Sequence, residues 1–243
     1  MKDSVRNLDM NAIKKVAGRS FFYPCAWKDW IEPLDAFGDL IEEFHFVDLR
    51  YQFSRPVPME STRWVLQPEF SSLTGPAVDK LRIVVSGERR YREIEPAWWR
   101  ERYVDRTTGR AVRVTRRRGF GQIALDELPD NSLGVFCHRG DSLGEGGSGT
   151  WYLANHNMSY SPLSRLFDTI KRKLAYPALI VSDGSNTRIR QITDCCIERS
   201  YRKQALSLVT EFDHFGLHWQ RVGELNADRH RRTYVWLVER NDQ

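Results

Sequence analysis

Residues 20–51 read "SFFYPCAWKDWIEPLDAFGDLIEEFHFVDLRY", and their order of apolar and polar positions sets the architecture. The aromatic run "SFFYPCA", interrupted at Pro24, has strand character. "DWIEPLDAFGDLIEEF" then places Trp30, Leu34, Phe37, Leu40 and Ile41 at helical spacing. "FHFVDLRY" at 44–51 is short and largely apolar, as a strand buried on both faces should be. Two strands joined through a helix form a βαβ unit, which pairs its strands in parallel through a right-handed crossover.

Working outward, residues 52–80 carry four prolines and few periodic apolar positions, so they read as irregular with a short helix near "PAVDKL". "LRIVVSG" at 81–87 reads as a third core strand. The arginine-rich stretch 88–118 reads as an inserted basic hairpin turning at "DRTTGR". A helix over "GQIALDEL", a strand over "SLGVFCHRG", a helix over "SPLSRLFDTIKRKLA" and a strand over "YPALIVSDGSN" follow. "CIERSYRKQALSLVTEFDHFG" has helical periodicity and a glycine stop at Gly216. The chain then closes on two strands, "LHWQRVGEL" and "RTYVWLVER". The expectation is one α/β domain over 1–243 with an N-terminal extension at 1–18. Its sheet is expected to be Rossmann-like and mostly parallel, ending in an antiparallel β-hairpin.

Composition narrows the class. Apolar residues make up 41% of the 243, which fills a core, while 28% charged residues supply a polar surface. No apolar run is long enough to span a bilayer, and the first twenty residues lack a secretory pattern, so a cytoplasmic protein that avoids membranes is expected. The four cysteines show no C-x-x-C spacing and read as free thiols. A net charge of +5 permits an anionic partner without demanding one.

Two loops have the composition of a site. "RGDSLGEGGSG" at 139–149 sets Arg139, Asp141 and Glu145 among glycines. Its acids would repel a phosphate but suit a sulfonium, an amine or hydroxyl groups. "SDGSN" at 182–186 offers Ser182, Asp183 and Asn186, or an ordinary Asp-Gly turn. His214 and His218 do not make a helical metal pair, because Gly216 falls between them. The basic segment 89–118 mixes arginines with Trp98, Trp99 and Tyr103, a composition shared by nucleic-acid surfaces and solvated hairpins.

The order of elements and three local matches resemble the class I S-adenosylmethionine-dependent methyltransferases. "EFHFVDL" puts Asp48 near the end of the second strand, "SLGVFCHRGD" puts Asp141 just past the fourth, and "LFDTIKRKLAYPALIVSDG" matches the family's helix, turn and fifth strand. The resemblance implies S-adenosylmethionine or a related nucleoside ligand, with Asp48 on the ribose and Tyr23, Pro24, Cys25, Asp29 and Asp141 around the cofactor. Arg139, Ser142, Glu145, Ser148, Ser182, Asp183 and Asn186 would line the substrate side. The chain departs from the family after its first strand, where "YPCAWKDW" has no glycine. The alternative is a non-catalytic module that binds nucleic acid through Arg116, Arg117 and Arg118, or a protein partner.

Overall fold

Phe21, Phe22 and Tyr23 are each 1% exposed or less, so the strand they form has no solvent face. A computed structural model describes residues 8–24, 26–27, 30–51, 61–73, 78–85, 88–138, 166–182, 210–214, 216–225 and 233–241. In it, β1 (Ser20–Pro24) lies at the middle of the sheet, parallel to β2 (Glu43–Val47) on one side and to β8 (Leu133–His138) on the other. The remaining strands are β3 (Trp64–Leu73), β4 (Asp79–Val85), β5 (Glu88–Ile94), β6 (Ala97–Asp105), β7 (Ala111–Arg118), β9 (Leu174–Ser182), β10 (Glu211–His214), β11 (Leu217–Leu225) and β12 (Thr233–Arg240). Ten of them form one sheet in the order β10-β11-β12-β9-β8-β1-β2-β7-β6-β3, and β4 and β5 pair separately.

The four described helices are short. α1 (Met10–Lys14) and α2 (Ile31–Phe37) pack on one face, against Phe21, Phe44, Val235 and Leu237. α3 (Gly121–Glu127) and α4 (Leu166–Lys173) pack on the other, against Phe22, Phe136 and Ile180. Burial on both faces explains the unbroken apolar runs of β1, β8 and β9. No described helix is long and apolar enough to cross a membrane.

This sheet is not the mostly parallel, Rossmann-like α/β sheet that the sequence led us to expect. Of its nine strand pairings, four are parallel and five antiparallel, and strand far outweighs helix. The difference arises at both edges. Residues 64–73, expected to be irregular, form the edge strand β3, whose ladder is interrupted between Leu66 and Phe70, around Pro68. Proline is tolerated at such an edge irregularity, and its presence is what disguised the strand.

Residues 97–118 are no insertion, because β7 pairs in parallel with β2. β4, expected in the core, pairs only with β5. At the other edge, residues 211–214 are strand instead of helix. Gly216, at φ 70, sits in the turn of the β10–β11 hairpin where a helix stop was expected. Asp9, just before α1, is tied to the sheet, its amide donating to the Val222 carbonyl at 2.7 Å. The expected helix over 196–209 lies outside the described residues.

Asp105 fixes the β6–β7 turn. Burial pushes its pKa up, but N–H donors from Thr107 (2.7 Å), Thr108 (3.3 Å) and Arg63 Nε (2.6 Å) outweigh burial and hold it below 3.8. A depressed carboxyl pKa stabilises the fold above the unfolded value and loses that contribution as pH falls through the folded one. Asp105→Asn should therefore cost about 1–3 kcal/mol at pH 7, and its deficit against the parent should shrink below pH 3.8 when both are unfolded in urea across pH. Gly38 closes α2, and a Cβ there would lie 2.6 Å from the Leu34 carbonyl oxygen and run into the Trp64 indole. Gly38→Ala should lower stability by about 1–3 kcal/mol in the same assay.

Candidate functional site

The parallel strands leave the sheet in two directions from β1. The chain adds β2 and β7 on one side of β1, and β8 and β9 on the other. The β1–β2 crossover runs over one face through α2, whereas α3 leads into β8 over the opposite face. Connections that diverge in this way leave a crevice beyond the carboxyl ends of the strands, between β1 and β8. Pro24, Val47, His138 and Ser182 end the four strands that border it.

The described wall of this crevice is the β1–β2 side. Asp48 follows β2, and its carboxylate accepts N–H bonds from two backbone amides, Trp27 into Oδ2 at 3.0 Å and Arg50 into Oδ1 at 2.7 Å. The Ala26 amide donates to the Val47 carbonyl at 3.1 Å, so the turn after β1 is tied to the end of β2 twice. Trp27 takes φ 33 there, in the left-handed region that a bulky side chain rarely adopts. Its indole remains 39% exposed, with the Arg50 guanidinium 5.0 Å from the ring centroid. Met10 and Val78 are the other exposed large hydrophobic residues among those described. Asp48 is partly exposed, and the two amide bonds fix the orientation of its carboxylate.

Beneath the end of β2 lies a buried ionic cluster. Arg116, wholly buried, stands opposite Phe46 in register and donates through Nε to Glu101 Oε2 at 2.8 Å. Tyr103 donates its hydroxyl to the same oxygen at 2.8 Å. The guanidinium carbon is 3.7 Å from the centroid of Trp30, 5.6 Å from that of Tyr51 and 5.7 Å from that of Phe46. Burial drives the Tyr51 and Tyr103 hydroxyls well above the ordinary tyrosine pKa, so both stay protonated donors. Glu101 Oε1, Arg116 Nη2 and Trp99 Nε1 are buried without a hydrogen-bond partner.

The residues expected from sequence divide sharply. Tyr23 is a core residue, edge-on to Phe46 with centroids 6.4 Å apart, and Pro24 is buried at the end of β1. Ser182 ends β9 beside His138. Cys25, Asp29, Arg139, Asp141, Ser142, Glu145, Ser148, Asp183 and Asn186 lie outside the described residues. The expectation that Arg116 and Arg117 meet nucleic acid is corrected by their burial. Arg116 is held by Glu101, while Arg117 pairs with Asp79 at 2.8 Å and Glu127 at 2.5 Å, out of reach of a phosphate backbone. Arg118 is half-buried. Among the described residues no cluster of His, Cys, Asp or Glu could hold a metal ion.

Sequence reasoning missed Glu101 as a buried residue, although its parity gives it away. Ala97, Trp99, Glu101, Tyr103 and Asp105 share the inward face of β6, so an acid there requires a buried cation.

Comparison of the chain with protein-family models, with curated proteins and with solved structures finds no match in any of the three, so no relative supplies a function.

Removing one partner of the buried pair strands a charge. Glu101→Ala should cost about 3–5 kcal/mol in chemical denaturation, and Glu101→Leu with Arg116→Met should recover most of that loss.

Proposed function

We propose that the chain binds S-adenosylmethionine, or a related nucleoside-type ligand, beyond the carboxyl ends of β1 and β2, and that it is a methyltransferase-like domain. The observation that carries this reading is the exposed Trp27, whose backbone amide donates to Asp48, beside the point where strand order reverses. An exposed aromatic residue and a partly exposed carboxylate in adjoining turns match a nucleoside: the base would stack on the ring, and the ribose hydroxyls would donate to the carboxylate.

The absence of glycine after β1 is compatible with this reading. Glycine in such a turn supplies positive φ, and Trp27 adopts φ 33 itself. In chain order the parallel strands lie third, second, first, fourth, fifth across the sheet, which is the order that places ligands at the reversal. The sulfonium of the cofactor, when bound, supplies an activated methyl group. The chain's own task is then alignment, because methyl transfer needs the acceptor held in line more than it needs an acid or base.

Isothermal titration with S-adenosylmethionine and with S-adenosylhomocysteine tests the reading. At least one ligand should bind with a stoichiometry near one. Trp27→Ala should weaken that binding by about 1–3 kcal/mol, the usual worth of a base–aromatic stack, without a matching loss of stability. If neither ligand binds the folded protein at millimolar concentration, the reading is wrong.

A further inference from the structure

The turns that follow β1 and β2 each lead into an aromatic residue buried against the same guanidinium. Beyond the exposed Trp27, Trp30 is 1% exposed and lies with its ring centroid 3.7 Å from the Arg116 guanidinium carbon. Beyond Asp48, Tyr51 is 2% exposed, with its ring centroid 5.6 Å from that carbon and its hydroxyl 3.5 Å from Arg116 Nη1. Arg116 belongs to neither turn, since it stands on β7 opposite Phe46 of β2. The next residue of β7, Arg117, offers the carbonyl that accepts the Asp48 amide at 3.0 Å. Besides their direct bonds, the two turns therefore meet through a third strand, and one side chain of that strand touches both.

Stability does not call for a charge at this point. A buried ion pair is costly to desolvate, and well-packed apolar residues of similar volume often serve as well or better. What apolar side chains do not provide is a planar group that can hold an indole on its face while its edge donates to an acid. Arg116 meets Trp30 and Glu101 together, and Glu101 is held in turn by the Tyr103 hydroxyl on the same oxygen. The rings close in from the sides as well. Tyr103 packs 5.4 Å from Trp30, and Tyr51 meets Trp99, the residue opposite Arg116 in register, edge-on at 5.8 Å. The backbone of Trp27, at φ 33, is thus kept in an unfavourable state between two fixed points, the Ala26 amide bonded to Val47 on one side and the buried Trp30 on the other.

We infer that Arg116 is a positioning residue of the crevice. Its pairing with Glu101 fixes the guanidinium, and the guanidinium sets Trp27 against Asp48 through Trp30 and Tyr51, so that ring and carboxylate meet one nucleoside. The role rests on the nucleoside reading for its ligand, while the tie between the two turns stands without one.

Glu101→Leu with Arg116→Met separates position from stability. The double variant should unfold near the parent's denaturant midpoint. Its Trp27 and Arg50 amides, which donate to the Asp48 carboxylate, should nevertheless exchange with deuterium about tenfold faster than in the parent, while amides of β8 and β9 keep parent rates. Titration with S-adenosylmethionine and S-adenosylhomocysteine should show binding weakened by about tenfold, as misplacement of contact groups causes. Trp30→Leu keeps both charges, removes the stacking surface and should loosen the same two amides, which covers the case of a double variant that does not fold. The proposal is overturned if a folded variant keeps parent exchange at Trp27 and Arg50, if it binds either ligand as the parent does, or if β8 and β9 loosen equally. Failure of both variants to fold overturns it too, since Arg116 is then a residue of the core alone. Exchange is read without ligand, so a parent that binds neither compound refutes the nucleoside reading and leaves the tie through Arg116 to be decided by exchange.

Discussion

The ion pair between Arg116 and Glu101 is the constraint on which the crevice side of the molecule depends. Two wholly buried charges leave water at a large cost, and their attraction has to be supplemented by neighbouring groups, the more so because Glu101 Oε1 and Arg116 Nη2 have no hydrogen-bond partner. Here the compensation is drawn from four parts of the chain. Trp30 stacks on the guanidinium from the start of α2, Phe46 and Tyr51 approach from β2 and beyond it, and Tyr103 donates from β6. The pair therefore forms only when β2, β6, β7 and the start of α2 are all in place, which couples the βαβ unit to the arginine-rich hairpin.

The pair also fixes register. A slip of one residue between β6 and its neighbours would send Glu101 to solvent and bring Arg100 or Arg102 into the apolar layer, with no acid to meet it. The register that buries Arg116 beside Glu101 is thus the same register that exposes Arg100, Arg102 and Arg113. It likewise sets the height of Arg117, whose carbonyl accepts from the Asp48 amide at 3.0 Å. The position of Asp48 at the crevice and the charge of the outer sheet face follow from a single alignment of strands.

Much of the centre of the fold was legible in the sequence. β1, β8 and β9 are continuous apolar runs because both faces of the sheet are covered there, and the two closing strands β11 and β12 pair as an antiparallel hairpin, as expected. The edges were not legible, since an edge strand need satisfy only one neighbour and tolerates Pro68, and since Gly216 serves a hairpin turn as well as it serves a helix stop. The direction of the arginines was hidden for a different reason. Composition counts Arg116 and Arg117 with Arg100 and Arg113; strand parity turns Arg116 to the inner face, whereas Arg117 shares the parity of Arg113 and is buried by its pairing with Asp79 and Glu127. Asp48 could be placed at the end of β2 from the pattern of "EFHFVDL", but its grip on the Trp27 amide depends on a contact across 21 residues that no local pattern encodes.

Two local rules are broken in this structure, and they are broken in different places. Trp27 holds a backbone conformation that costs a bulky residue on the order of 1–3 kcal/mol, and Arg102 faces Arg113 across a strand pair. Neither departure is demanded by packing: Trp27 is exposed, and the arginines point away from the core. A residue buried in a crowded core has few alternatives, whereas an exposed one in an unfavourable state is free to be replaced without disturbing its neighbours. Strain at such positions is sustained by the rest of the fold, here by an interior of packed rings around Phe21, Phe44 and Phe46 with centroids 5.1–6.0 Å apart. Because the two departures occupy the crevice rim and the outer sheet face, either can be replaced without disturbing the core or the other.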